Sequence, residues 1–390
     1  MPSSSPEINL KPAVLEWARR RVGLSEADLA KKARTKPDRV LGWEANGQIS
    51  ISETGRVAKA TYTPVGYLYL SSPPVDRLSV TDFRAVRDET PESPSPNLLA
   101  VLDEASRRQD WYREYLVDIG SNPLDFVGSI TEDLPVADAA ERIRQRHGLT
   151  VERRAEADDW ADALRLEIAQ IERSGVLVMR SGIVGTNTRR LLEVGEFRGF
   201  ALADEFAPLI FINSRDALAA QLFTLLHELT HIWLGQSGVS NVDQTVPITN
   251  GSERFCNSVA AEILVPGGTL AARWRELQAR DDPVAVLARH YKVSKLVVLR
   301  RLFDADLLEW ADYRARYTAA EAAYRERAAR AGKGGDFYVT QGSRLGKPFQ
   351  RAVIESALEG RTSTRDALPL LGVKTIRTFN EMARRLGFPT

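Results

Sequence analysis

The chain has 390 residues, enough for two or three domains that each bury a core. Lys and Arg number 53 against 52 Asp and Glu, so the formal net charge of +1 excludes a global polyanion-binding surface and confines any nucleic-acid contact to a local patch. A single cysteine excludes an internal disulfide and suits a reducing cytosol. The opening Met-Pro-Ser-Ser-Ser-Pro-Glu lacks the basic start and apolar stretch of a signal peptide, and no apolar run approaches a membrane span. These features lead us to expect a soluble, cytoplasmic protein without a membrane partner.

Residues 11–70 carry short helical patterns broken at close intervals. Pro12 to Arg21 puts Val14, Leu15, Trp17, Ala18 and Val22 on one side, before Gly23. Ser25 is placed to cap a second helix with Ala27, Leu29, Ala30 and Ala33 inward. A turn at Thr35-Lys36-Pro37 starts a third, with Val40, Leu41 and Trp43 inward and Gly47 at its end. A fourth starts near Ser52, and Pro64 with Tyr67, Leu68, Tyr69 and Leu70 makes a fifth. Leu24-Ser25-x-x-x-Leu29-Ala30 followed by Val40-x-x-Trp43-Glu44-x-x-Gly47 resembles the Cro/repressor-type helix-turn-helix of the Xre group. The resemblance implies that the third helix, about Pro37 to Ala45, is a recognition element for operator DNA. Residues 11–60 hold eleven Lys and Arg against six Asp and Glu, with Lys36 and Arg39 as the candidate phosphate contacts. Docking of a protein partner is the competing role, because a Glu follows Ser25 and Asp38 sits at the mouth of the third helix.

Residues 73–97, rich in Pro and Ser, read as a linker or extended crossing segment relieved by Asp82-Phe83-Arg84. Helices are predicted over Asn97–Ile119, Val136–His147 and Asp158–Ser174, with His147 as a cation at a helix C-terminus. Strands are predicted at Val176–Met179, at Phe197–Ala203 with Gly199 as a break, and at Pro208–Asn213. Arg180, Arg189 and Arg190 fall in solvated loops between them. A small sheet with a free edge would suit an extended peptide substrate, unless that edge is covered.

The third strand leads into Gln221-Leu222-Phe223-Thr224-Leu225-Leu226-His227-Glu228-Leu229-Thr230-His231, whose apolar spacing is helical and uninterrupted before Gly235. Residues four apart share a helical face, so His227 and His231 can offer their imidazoles to one zinc ion. Glu228 flanks that point as a general base for water activated by the metal. Two surface histidines beside a Glu would give the same five letters.

A catalytic zinc needs a third protein ligand. Glu253 is the leading candidate, on a helix with Ser252 as N-cap and Pro266 just past its end; Asn257, four residues on, can hold a histidine ring. Glu262 is the rival ligand, on nearly the opposite face. Cys256 reads as a small buried hydrophobe with a lesser chance of meeting the metal, and His290 and Tyr291 are minor candidates for a transition-state donor. Beyond Asp304 comes a charged helix, Glu309 to Arg330, anchored by Trp310, Tyr313, Tyr317 and Tyr324 and stopped at Lys333-Gly334-Gly335. After Phe337-Tyr338, short helices near Phe349–Leu358, Thr364–Leu371 and Thr375–Leu386 suggest a second small module for docking or DNA.

Phe211-Ile212-Asn213, Phe223-Thr224-Leu225-x-His-Glu-x-x-His231 and Glu253-x-x-x-Asn257-x-x-Ala260-Ala261-Glu262-x-Leu264-x-Pro266 together resemble the ImmA/IrrE-like zinc peptidase domain over about residues 155–310. The resemblance implies a gluzincin-type site with His227, His231 and Glu253 as zinc ligands and Glu228 as general base. Phe255-Cys256 departs from the Glu-Ala pair of many members.

The expected fold is mainly α with a small β-sheet (α+β), comprising an all-α Xre-like domain at 1–72, a Pro-rich linker at 73–97, a zinc metallopeptidase domain with a helical front at 98–310 and a helical extension at 311–390. The resemblance further implies a regulatory endopeptidase that cleaves a transcriptional repressor or partner regulator. The alternative is a non-catalytic, antitoxin-like DNA-binding regulator that masks a cognate toxin.

Overall fold

The computed structural model describes residues 6–83, 93–241, 251–330 and 344–389, and the side chains of 324–330 are not included. The anchor at Tyr324, the stop at Lys333-Gly334-Gly335, Phe337-Tyr338, and Arg84 and Pro91 of the Pro-rich stretch lie outside the described side chains or residues. The chain divides into two compact units, one of residues 1–79 with 92–102, the other of 80–91 with 103–390.

In the first unit, strand β1 (Glu7–Asn9) is followed by helices α1 (Pro12–Arg20), α2 (Glu26–Ala33) and α3 (Pro37–Asn46). Strand β2 (Gln48–Ser50) and helix α4 (Ile51–Thr61) then lead to a 3-10 turn at Val65–Tyr69. Ser25 caps α2 through Asp28 N, and Ser50 with Glu53 forms a reciprocal capping box at the start of α4. A short antiparallel ladder of β1 with β2, which periodicity did not signal, closes the unit. Val14, Leu15, Leu29, Ala30, Val40, Trp43 and Leu68 form its core. Leu41 is instead 53% exposed, and Tyr67, Tyr69 and Leu70 also face outward; Ala27 lies on the solvent side of α2. The helices are tied by Arg19, whose guanidinium donates to both oxygens of Glu44 at 2.7 and 2.8 Å and pairs with Glu26 at 2.7 Å. Such a fork fixes orientation as well as charge.

The rest of the chain opens with strand β3 (Thr81–Asp82), inside the stretch read as a linker, and helix α5 (Pro96–Asp118), which passes from the first unit to the second after Leu102. Helices α6 (Val136–His147), α7 (Val151–Ala155) and α8 (Trp160–Arg173) precede strands β4 (Leu177–Ser181), β5 (Ile183–Val184), β6 (Asn187–Leu191), β7 (Gly199–Leu202) and β8 (Leu209–Asn213). Helix α9 (Leu218–Leu234), strand β9 (Gly238–Ser240) and helices α10 (Gly251–Leu264), α11 (Gly267–Leu277), α12 (Pro283–Tyr291), α13 (Lys295–Asp304) and α14 (Trp310–Arg330) follow. The last three helices are α15 (Lys347–Leu358), α16 (Thr364–Leu370) and α17 (Ile376–Arg385).

The main sheet runs β3-β9-β7-β8-β4, with β7 antiparallel to both neighbours and the outer pairs parallel. Every residue of β7 and β8 is buried, and α9 packs on both strands. Helix α9 is buried from Gln221 to Trp233, so it is apolar on nearly all sides, as a helix enclosed by a sheet and other helices must be. Helix α10 lies along α9 and α6. Arg154, 1% exposed, fixes that arrangement: it pairs with Glu167 at 2.9 Å and donates to the carbonyls of Tyr291 and Leu264 at 3.0 and 2.6 Å, so one guanidinium joins α7, α8, α10 and α12.

Arg180 is not in a solvated loop. It lies on β4 with a buried Nε, and burial lowers its pKa, whereas Arg189 and Arg190 sit on the hairpin strand β6. Gly199 does not break its strand but begins β7. Trp310 is 58% exposed, while Tyr313 stacks on Phe303. Helices α15 and α16 meet the later half of α5, with Phe349 against Trp111 and Tyr112 and Arg108 donating to the Leu370 carbonyl, and α17 packs on α15 and α16.

His147 is not a C-terminal cation. It is 3% exposed; its Nε2 accepts from Trp233 Nε1 at 2.9 Å and its Nδ1 lies 2.5 Å from Ser174 Oγ, an arrangement that requires a neutral ring. Burial, with Arg146 nearby, pushes its pKa down to about 3. The unfolded chain therefore binds this proton and the native chain does not, so stability is lost as pH falls from 6.5 towards 3. Between pH 7.5 and pH 5 the stability difference between wild type and His147→Asn should shrink by about 2 kcal/mol. Urea unfolding at both pH values measures it, and parallel pH profiles would remove the assignment.

Candidate metal centre

Helix α9 is entered through Asp216, whose Oδ1 accepts from Ala217 N and whose carbonyl accepts from Gln221 Nε2 at 2.6 Å. These bonds fix the rotation of the helix about its own axis. His227 and His231, one turn apart, then face the same point, with their Nε2 atoms 3.1 Å apart. Helix α10 delivers Glu253 in its first turn: Oε1 lies 3.0 Å from His231 Nε2 and Oε2 lies 3.4 Å from His227 Nε2. All three side chains are buried, and their ligand atoms lie within 4.8 Å of one another.

The donor set fits a divalent transition metal. Asn257 Oδ1 is 2.9 Å from His227 Nδ1 and accepts its N–H, which leaves the Nε2 lone pair free to point at a cation. Ser240 Oγ lies 3.4 Å from Glu253 Oε1. Two imidazoles and one carboxylate leave coordination positions open, the pattern of a reactive rather than a structural site. The carboxylate and the imidazoles set each other's charge. Burial alone would raise the Glu253 pKa, but the facing imidazoles hold it down at about 2, and the same carboxylate raises the pKa of His227 against the effect of burial. His231 moves the other way, because burial outweighs its bond to Glu253.

Glu228 is fully buried, and neither of its oxygens meets a hydrogen-bond partner at bonding distance. Burial pushes its pKa up to about 8, opposed by His227 and by the nearby Ser240 hydroxyl and reinforced by the charge of Glu253. An unpartnered buried carboxylate costs stability, and such costs concentrate where a group must stay free to react.

The other sequence candidates lie elsewhere. Glu262 pairs with Arg301 and accepts from Gly267 N at 3.1 Å, so it joins α10 to α11 and α13. Cys256 is a buried thiol whose pKa burial raises well above the usual range. Tyr291 bonds Thr269 through its hydroxyl and Arg154 through its carbonyl, with His290 edge-on beside it. Ser252 does not cap its helix: it lies in the first turn and donates to Glu132 and Gln236. In the first unit, Lys36 is exposed at the start of α3, while Arg39 is held by Glu7 and Glu53, both at 3.0 Å.

Three contacts were missed. The Phe83 ring stacks on His231, 5.0 Å between centroids and 13° between planes. Gly238 and Gly199 are glycines because neighbours occupy the place of a side chain. A Cβ at 199 would lie 2.6 Å from Thr224 Cγ2, 2.9 Å from the Phe211 carbonyl oxygen and 3.1 Å from Glu228 Oε1. The one available signal was a glycine in an otherwise apolar strand, which marks close backbone approach as readily as a break.

Residues 171–303 match the family described as Peptidase_M78, IrrE N-terminal-like domain. They include every residue of the metal group and Glu228. Residues 345–385 match a domain of unknown function, DUF8813, which spans α15 to α17. No curated protein matches the chain. Among the described residues no single helix is long and apolar enough to cross a membrane.

Gly199→Ala should destabilise the chain by about 1–3 kcal/mol, since backbone at Phe211 cannot yield. Adding Thr224→Ser should recover only part of the loss. Denaturant midpoints test this, and a Gly199→Ala variant within error of wild type would contradict it.

Proposed function

We propose that the chain is a zinc-dependent regulatory endopeptidase fused to a DNA-binding domain, and that its substrate is a repressor or partner regulator. The observation that carries this reading is the convergence of His227, His231 and Glu253 beside an unpartnered Glu228, within the stretch that matches a peptidase family. When bound, zinc would supply Lewis acidity, polarising a peptide carbonyl and acidifying water. The protein supplies the rest. His227, His231 and Glu253 hold the cation, and Asn257 orients His227. Glu228 takes a proton from the attacking water and passes it to the leaving amine, so one carboxylate serves as base and then as acid.

The helix-turn-helix reading is supported by three residues, Arg34 to Lys36, joining α2 to α3, and by the exposed start of α3. Lys36 is free to meet phosphate, whereas Arg39 would have to exchange Glu7 and Glu53 for DNA. Lys36→Ala should weaken operator binding in gel shifts and reduce the dependence of log K on log salt by about 1. An unchanged slope would favour protein docking by this unit.

Glu228→Gln is the decisive variant for hydrolysis. It should retain one zinc per chain and lose cleavage of the target regulator by a factor on the order of 100 to 10,000. Unchanged cleavage would remove Glu228 from the reaction; a regulator that works equally well with the variant would favour the non-catalytic alternative.

A further inference from the structure

Strand β9 follows the helix that carries both histidines, and its Ser240 lies against Glu253, so this strand borders the metal centre directly. One edge of β9 pairs with β7. The other is covered by residues of this same chain: Thr81 pairs with Gly238 and Asp82 with Val239 in a parallel register, and Phe83 N donates to the Val239 carbonyl at 3.0 Å. Backbone hydrogen bonds of this kind are what an extended peptide would make on an open edge.

The side chain that ends this segment is the one over the site. Phe83 stacks on His231, and its ring passes where a side chain at 238 would stand; a Cβ there would lie 2.1 Å from Phe83 Cε2 and 2.3 Å from Cδ2. The floor of the slot is thus a metal-ligating imidazole and a glycine, a flat surface shaped for an aromatic ring. Two residues of ladder are a weak hold, since strand pairs this short have little stability of their own. Phe83 is also only partly buried, so what covers the edge can leave it.

We propose that Thr81–Phe83 is an internal occupant of the substrate edge, and that the slot under Phe83 is a subsite for an aromatic side chain next to the bond to be cut. The proposal rests on the peptidase reading for the word substrate, but not for the binding itself. It names the partner's chemistry: an extended segment carrying Phe, Tyr or Trp, which adds to β9 only after residues 81–83 have moved off. The site is self-masked, and a target lacking the aromatic residue competes poorly with the resident one.

The test separates binding from hydrolysis. Zinc-loaded full-length Glu228→Gln and Glu228→Gln/Phe83→Ala proteins are titrated with a fluorescent peptide of residues 77–83 and with its Phe83→Ala analogue, followed by anisotropy. The parent peptide should bind the double variant at least tenfold more tightly than the single one, and the analogue should bind both at least tenfold more weakly than the parent binds the double variant. In parallel, Phe83→Ala should cleave casein several-fold faster than wild type. Phe83→Leu, which keeps an apolar contact, should shift each readout the same way by less, guarding against loss of fold in the alanine form. Equal peptide affinity in the two proteins, or equal binding of the analogue, overturns the proposal; if wild type and Phe83→Ala also cleave casein equally well, the peptidase reading survives alone. Switchable peptide binding with no casein cleavage in any form overturns the peptidase reading and leaves the masked edge standing. Loss of zinc from both Phe83 variants without a gain in peptide binding would make Phe83 a clamp on the metal site and would also overturn the proposal.

Discussion

A buried carboxylate held against two buried imidazoles is the constraint on which the rest of the second unit depends. Glu253 is 3% exposed and both histidines are fully buried, so neither partner can be removed without leaving a polar group stranded. The cost of assembling such a group is large, and the architecture around it supplies the offset. Helix α9 is enclosed on nearly every side, Arg154 joins the elements around α10, and Glu262 with Arg301 holds the far end of that helix. Asn257 and Ser240 then fix the finer geometry.

The same burial gives neighbouring groups different fates. Glu253 stays ionised because positive or polar partners face it from two sides, while Glu228, one position along from His227, has no bonded partner and is driven towards its neutral form. Two carboxylates near one point, with proton affinities pushed apart by environment, suit the proposed reaction, in which one would serve as ligand and the other as proton carrier. Gly199 contributes by absence: it brings the β7 backbone close enough to wall in Glu228 without displacing it.

What could be read in the sequence was what depends on short spacing. His227 with His231 and Glu253 with Asn257 are pairs four residues apart, and helical geometry puts each pair on one face whatever lies around it. The Ser25 cap and the boundaries of α6 were legible for the same reason. Features set by distant partners were not. His147 looked like a helix-end cation until Trp233, 86 positions away, was seen to donate to it. Arg180 looked like a loop residue because a strand carrying one Arg resembles a strand end. Thr81–Phe83 is too short to show any period, and its pairing with β9 depends on a contact that local propensity does not encode. The inward placing of Leu41 failed because a helix in so small a unit buries a narrow stripe, and Val40 and Trp43 fill it.

Zinc-edge X-ray absorption of the zinc-loaded wild-type chain reads the coordination sphere itself. A site built from His227, His231 and Glu253 gives nitrogen and oxygen scatterers at about 2.0–2.2 Å, with two imidazole contributions and no sulfur. A sulfur shell near 2.3 Å, which would bring in Cys256, or a spectrum with fewer than two imidazoles, would contradict it.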